Sequence, residues 1–186
     1  MDKVSAQVER RVDAFLIHLF GALFFALLTI LSAQIRIPLP FTPVPMTLQT
    51  FVVPLAGGFL GIRWGVASML LYLIFGFVDA NAFAAINDGS AFLFAPTSGY
   101  LLGFVFAAAV MGWTRDQKVS NAIVFAGLLL ANLLIFACGM LGLTINASMT
   151  VQDAWLKGVV PFLAGGILKL AADYLVLISY RAIRKI

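Results

Sequence analysis

Lys169 and Asp173 stand four residues apart inside a long apolar run, so on a helix they share one face. Lys169 lies 12 residues from Lys157 and 12 from Arg181, about 18 Å of helix in either direction. A charge that deep in apolar surroundings is costly unless it is paired or lines a polar cavity. Two readings follow: a self-neutralising pair that holds the helix in register, or the polar floor of a site for a small ligand or an ion relay. Gly165 and Gly166, one turn earlier, would let a ligand approach the backbone closely. Arg36, Thr47 and Gln49 gather around a proline-rich segment. Thr47 and Gln49 read either as a first-turn cap or as ligand contacts, and Arg36 as a snorkelling cation or as the partner of an anionic ligand. His18 has no second histidine with which to share a metal and reads as a packing or interfacial residue. Asn132 reads as an interhelical hydrogen-bonding residue.

The familiar catalytic constellations are missing from the sequence. It has no G-x-x-x-x-G-K-[ST] loop, so this chain does not hydrolyse ATP by that route. It has no H-E-x-x-H and no G-x-S-x-G. Cys138 is the single cysteine, which excludes a disulfide framework and a four-cysteine zinc site. The net charge is +4, with no basic run interleaved with aromatics, so nucleic acid is not an expected partner. The expectation is a protein that is not an enzyme and needs neither cofactor nor metal.

The elements that must position these residues are membrane helices. Hydrophobic residues make up 62% of the 186 and charged residues 11%, against roughly 45–50% and 25% in soluble domains. A soluble fold of this length has too much surface to hide that content. Residues 1–13 are polar, and the apolar stretch after them is longer than a secretory leader's, so it reads as a first span. Spans of about 20 apolar residues are expected at about 14–34, 47–62, 64–79, 96–114, 119–143 and 158–182. Arg63, flanked by Gly61 and Gly65, divides the second from the third. The result is an all-α integral membrane protein, a six-helix bundle forming one membrane domain over residues 1–186.

Orientation follows from the basic residues. With both termini cytoplasmic, the inner segments carry Lys3, Arg10, Arg11, Arg63, Arg115, Lys118, Arg181, Arg184 and Lys185, nine of the 12. The outer loops carry Arg36 and Lys157, and Lys169 lies within the sixth helix. Both main outer loops look like covers. Residues 37–46 hold four prolines, which makes that segment stiff and non-helical. Residues 80–95 mix Asn81, Asn87 and Asp88 with Phe83, Phe92 and Phe94. Ala22 and Ala26 in the first helix form a small-xxx-small pair that would let another helix approach.

Three segments carry a family resemblance. The run Ile37-Pro38-Leu39-Pro40-Phe41-Thr42-Pro43-Val44-Pro45-Met46-Thr47-Leu48-Gln49-Thr50-Phe51 resembles the signature of the BioY family, the substrate-binding subunits of bacterial biotin transporters. Ala95-Pro96-Thr97-Ser98-Gly99-Tyr100-Leu101-Leu102-Gly103-Phe104 resembles the family's Gly-Pro-Thr-Gly-Gly-Tyr-Leu-Leu-Gly-Phe. Residues 161–169, from Pro161-Phe162 to Lys169, resemble Pro-Phe-x-x-Gly-Asp-x-x-Lys. Two positions depart from the family: Gly166 stands where it has Asp, and Asn81 where it has Pro in the third loop.

The resemblance implies a bacterial cytoplasmic-membrane protein that captures biotin from outside under its first and third loops. It implies partners as well: a transmembrane scaffold subunit, for which Ala22 and Ala26 would be the docking face, and two ATPase subunits that supply the energy. Biotin's ureido group offers donors and an acceptor suited to amide and carboxylate side chains, and its rings and valeryl chain suit apolar walls. On this expectation Lys169 and Asp173 anchor one end of the ligand. Arg36, Thr47, Gln49, Asn81, Phe83, Asn87 and Tyr100 complete the contacts. The alternatives are a related vitamin-uptake subunit with another ligand, suggested by Gly166, or a stand-alone secondary transporter in which Lys169 and Asp173 carry protons. The short chain without an inverted repeat speaks against the last.

Overall fold

A computed structural model describes residues 3–79, 82–83 and 94–184. The chain is helical almost throughout: α1 (Lys3–Gln34), α2 (Gln49–Leu60), α3 (Ile62–Val78), α4 (Ser98–Asp116), α5 (Asn121–Asn146), α6 (Val151–Gly158) and α7 (Leu163–Arg184). A 3₁₀ turn, Val160–Phe162, joins α6 to α7. Three stretches are long and apolar enough to cross a membrane alone: Glu9–Gln34, Asn121–Asn146 and Val151–Arg184. The helices α2 and α3 are apolar but have 12 and 17 residues, short of the roughly 20 that a full crossing takes. Two features shorten them. Thr47 belongs to a strand rather than to the helix, and the chain breaks at Gly61.

That break is built from charge. Gly61 has φ +84°, a backbone setting that favours glycine. The Nη1 of Arg115 donates to Leu60 O at 3.2 Å at the end of α2, and Asp116 Oδ2 accepts from Ile62 N–H at 2.9 Å at the start of α3. A cation thus meets the negative end of one helix and an anion the positive end of the next. The two side chains also pair with each other at 3.2 Å.

The proline-rich segment is pinned at both ends. Arg36–Ile37 (β1) pairs antiparallel with Met46–Thr47 (β2), with Arg36 opposite Thr47 and Ile37 opposite Met46. The prolines between cannot extend the ladder, because they lack N–H donors. The segment therefore arches, with Val44 buried beneath it.

The interior is packed through small residues. Gly99 of α4 lies against the backbone of Cys138 and Gly142 on α5, leaving no room for a side chain. Gly57 of α2 meets Ala108 and Gly112 of α4 in the same way. Tyr72, Met69, Met111, Leu128 and Ile135 fill the space between.

Ala22 and Ala26 belong to this interior: both are fully buried. The expected docking pair is thus used within the chain, where small side chains let α1 close on α2 and α3. The outward face of α1 is instead Phe20, Phe24, Leu27 and Leu31. His18 stacks on Trp64 at 5.7 Å, and its Nδ1 lies 2.6 Å from Ala14 O, in keeping with a packing role.

Where only a loop was expected after α5 stands α6. Thr150 caps it by accepting from Asp153 N–H at 3.1 Å, and Lys157 pairs with Asp153 at 3.6 Å. This T-x-x-D capping pattern was present in the sequence.

Candidate functional site

The residues that gather at the proline-arch end of the bundle come from elements far apart in the chain. The arch supplies Val44, Pro45 and Thr47, and the first turn of α2 supplies Gln49 and Thr50. Phe83 comes from between α3 and α4, and α4 brings Tyr100, Leu101 and Phe104, with Thr97 just before it. Asn132 and Phe136 enter from α5, Phe162 from the 3₁₀ turn, and Gly166 and Lys169 from α7. Together they line one partly open recess.

Polar groups are few and held in place. Gln49 donates from Nε2 to the Tyr72 hydroxyl at 2.7 Å and accepts from Thr47 Oγ1 at 3.2 Å. Gln49 is 3% exposed, so both bonds matter for a buried amide. The ammonium of Lys169 donates to Thr47 O at 2.6 Å and to Thr50 Oγ1 at 2.9 Å. This ties α7 to the junction of arch and α2. An ammonium has three donors, and these two neutral acceptors leave its charge without an anionic partner in contact among the described residues.

The walls are aromatic. Phe83 stands edge-on to Tyr72, with ring centroids 5.5 Å apart, and its ring covers Gly76 so closely that a side chain there would collide. Tyr72 in turn meets Phe104 at 6.4 Å. Tyr100 donates its hydroxyl to Gly158 O at 2.7 Å, fixing one wall to the end of α6. Asn146 donates to Ser98 Oγ at 2.8 Å and Ala95 O at 3.2 Å, which holds the start of α4 against the end of α5.

Of the residues expected from sequence, Thr47, Gln49, Phe83, Tyr100 and Lys169 line this recess. Arg36 does not; it stands exposed in β1. Asn81 and Asn87 lie outside the described residues. Asp173 is not among the lining residues either. It is fully buried one turn below Lys169, and neither carboxyl oxygen has a hydrogen-bond partner among the described residues. Lys169 and Asp173 do not pair with each other here: the Lys169 side chain reaches to Thr47 and Thr50, while Asp173 is buried below it.

Sequence reasoning missed Thr50, Phe104, Phe136 and Phe162 as lining residues. Thr50, Phe104 and Phe162 were inside the quoted motifs. Phe136 carried no local signal, because phenylalanine is frequent throughout this chain. Asn132 was singled out, but its Nδ2 donates to Leu128 O at 2.9 Å within its own helix rather than across an interface.

Comparison with known proteins agrees with the motif reading. The sequence model of the BioY family matches residues 6–185. The chain is 33% identical over 159 residues to a biotin transporter BioY of Thermotoga maritima, covering 86% of this chain and 92% of that one. It is 35% identical over 152 residues to a probable biotin transporter BioY of Pyrococcus horikoshii, covering 82% and 88%. In structure it resembles the S-component for biotin from an ECF-type ABC transporter, with a TM-score of 0.80, 20% identity and 94% of each chain covered. These relatives are transporters by name and not enzymes. With its signature segments assembled around one recess and the family match running almost end to end, the chain belongs to the BioY family.

Proposed function

We propose that this protein is the biotin-capturing membrane subunit of an energy-coupled importer. The observation that carries the reading is the recess: an ammonium bonded to neutral acceptors only, set among aromatic walls and a few fixed amides and hydroxyls. Biotin has complementary parts. Its fused rings and valeryl chain suit Phe83, Phe104, Phe136 and Phe162. Its ureido N–H groups need acceptors, and Asn132, which donates to Leu128 O, has an amide oxygen to offer. Lys169 would receive a ligand oxygen, as the only lysine or arginine lining the recess among the described residues. The named relatives support biotin as the ligand.

The chain would sit in the bacterial cytoplasmic membrane as six spans with both termini inside. In support, the α2–α3 break, the α4–α5 turn and the end of α7 gather Arg63, Arg115, Lys118, Arg181 and Arg184 at the end opposite the recess, as the positive-inside rule asks of a cytoplasmic face. The recess would then open outward. A transmembrane scaffold and two ATPases would supply the power stroke, because this sequence carries no nucleotide-binding loop of its own. The outward face of α1, with Phe20, Phe24, Leu27 and Leu31, is a surface such a scaffold could cover.

Equilibrium binding of biotin to the purified subunit in detergent tests the ligand, with desthiobiotin and two unrelated vitamins as competitors. Tight, selective retention is expected. No retention by folded protein would sink the reading and point to a different vitamin, with Gly166 the leading cause. Gly166 also allows a positive test. Among the described residues a Cβ there would meet Phe136 Cζ alone, at 3.9 Å, so a side chain can start at this position without a clash. Gly166→Asp should tighten biotin binding by roughly tenfold, the usual worth of one added hydrogen bond to a charged group. Weaker binding would show that the present ligand is not held as biotin would be.

A further inference from the structure

The end of the bundle away from the recess holds a second, smaller hollow, between α2, α4, α5 and α7. Gly58, Thr114, Arg115, Val124, Leu177, Tyr180 and Arg181 line it. Two guanidinium groups share this wall. The Nε atoms of Arg115 and Arg181 are both buried, and neither has a hydrogen-bond partner among the described residues. Buried donors in native proteins are nearly always satisfied, so the packing here leaves both guanidinium groups short of acceptors.

The charge balance points the same way. Arg115 is compensated in part, because Asp116 pairs with it at 3.2 Å. Arg181 donates through Nη2 to a neutral acceptor, Val119 O, and has no carboxylate within ion-pair distance among the described residues. A half-buried guanidinium without an anion is costly in apolar surroundings. Arg184 brings further positive charge, seated over the Tyr180 ring at 5.6 Å. Guanidinium forks suit planar or tetrahedral oxyanions, phosphate above all.

We propose that this hollow binds a phosphate-class oxyanion, with Arg181 and Arg115 as its cationic walls. Phosphate of this kind reaches the hollow either as the headgroup of an anionic membrane phospholipid or as free phosphate. The lipid is the favoured source. Tyr180 and Arg184 here, with Trp64 and Trp113 near the same turns, are the aromatic and basic residues that collect at headgroup depth. Basic pockets between helices at a cytoplasmic face are typical headgroup sites. The site is independent of what the outer recess binds.

The test uses the full chain in mixed micelles, with native mass spectrometry and thermal unfolding as readouts. Phosphatidylglycerol should be retained over phosphatidylcholine by roughly tenfold, and should raise the unfolding midpoint. Arg181→Lys, which keeps the charge but loses the fork, should remove most of that preference; Lys118→Gln, exposed and outside the hollow, should not. If millimolar inorganic phosphate reproduces the shift without lipid, and Arg181→Lys removes it, the site stands with free phosphate as its source. Equal retention of the two lipids by the wild-type chain, with no phosphate effect, overturns the proposal without any variant having to fold. A shift with glutamate but not with phosphate overturns it too, in favour of an acidic protein side chain.

Discussion

At the recess end, Lys169 reaches across from α7 to Thr47 O and Thr50 Oγ1, and around it stand walls with unfilled space. At the opposite end, Arg115 and Asp116 are turned inward upon the fold, closing the α2–α3 break. Both ends concentrate scarce polar groups in an apolar chain, but Lys169 has no anion in contact among the described residues, whereas Arg115 has Asp116 beside it and the two together cap the α2–α3 break. The same residue types therefore have different consequences when removed. A recess residue should change binding more than stability, and a residue of the capping cluster should do the reverse.

The largest expected effect is at Lys169. Lys169→Ala should weaken biotin binding by roughly 30-fold or more, since truncating one partner of a buried charged contact costs about 2–5 kcal/mol. The unfolding midpoint should move little, because the acceptors it leaves are a hydroxyl and a backbone carbonyl beside an open recess. Isothermal titration and a thermal melt on the same sample decide it. Unchanged binding would remove Lys169 from the site and erase the contrast between the ends.

Gly61→Val is the matching substitution at the other end. Its φ of +84° is strained for a β-branched residue, and a Cβ would run into the Asp116 carboxylate and the Arg115 guanidinium. Stability should fall by about 2–3 kcal/mol. Biotin affinity of the folded fraction should stay within a factor of two or so of wild type. A variant that melts normally but fails to bind would mean that the two ends are coupled through α2.

Much of this division was legible in the sequence. The apolar runs marked the helices because burying or spanning with so many apolar residues has no other outlet. Arg63 between two glycines marked the α2–α3 break, although nothing local revealed that Arg115 and Asp116, more than 50 residues on, would cap it. The signature segments brought Thr47, Gln49, Tyr100 and Lys169 to one place. What spacing cannot report is which way a side chain turns once helices pack. Ala22 and Ala26 have the spacing of an external docking face and are used internally. Lys169 and Asp173 have the spacing of a pair, yet α2 offers the lysine nearer acceptors.

Tyr100→Phe tests how firmly the recess wall is anchored. It removes a bond to Gly158 O from a buried hydroxyl position, at a cost of about 1 kcal/mol in stability. Binding should weaken only a few-fold, because the ring that forms the wall remains. A loss as large as that of Lys169→Ala would show that the hydroxyl leaves Gly158 to meet the ligand.

The smallest effect is expected at Asp173, and it is the most discriminating. Neither carboxyl oxygen accepts a hydrogen bond from the described residues, and the side chain is fully buried outside the recess. Asp173→Asn replaces the group with one of nearly the same shape and removes only its ability to carry charge. Binding should change by less than about threefold, and stability should hold or rise, since a buried carboxyl without partners contributes cost rather than cohesion. A loss of binding comparable to that of Lys169→Ala would carry a definite meaning. Lys169 would then have to leave Thr47 and Thr50 when the ligand arrives and turn toward Asp173, forming on binding the pair that the i, i+4 spacing announces. The double variant separates the two cases: additive losses place the residues in separate roles, and a double loss no larger than either single loss makes them one unit.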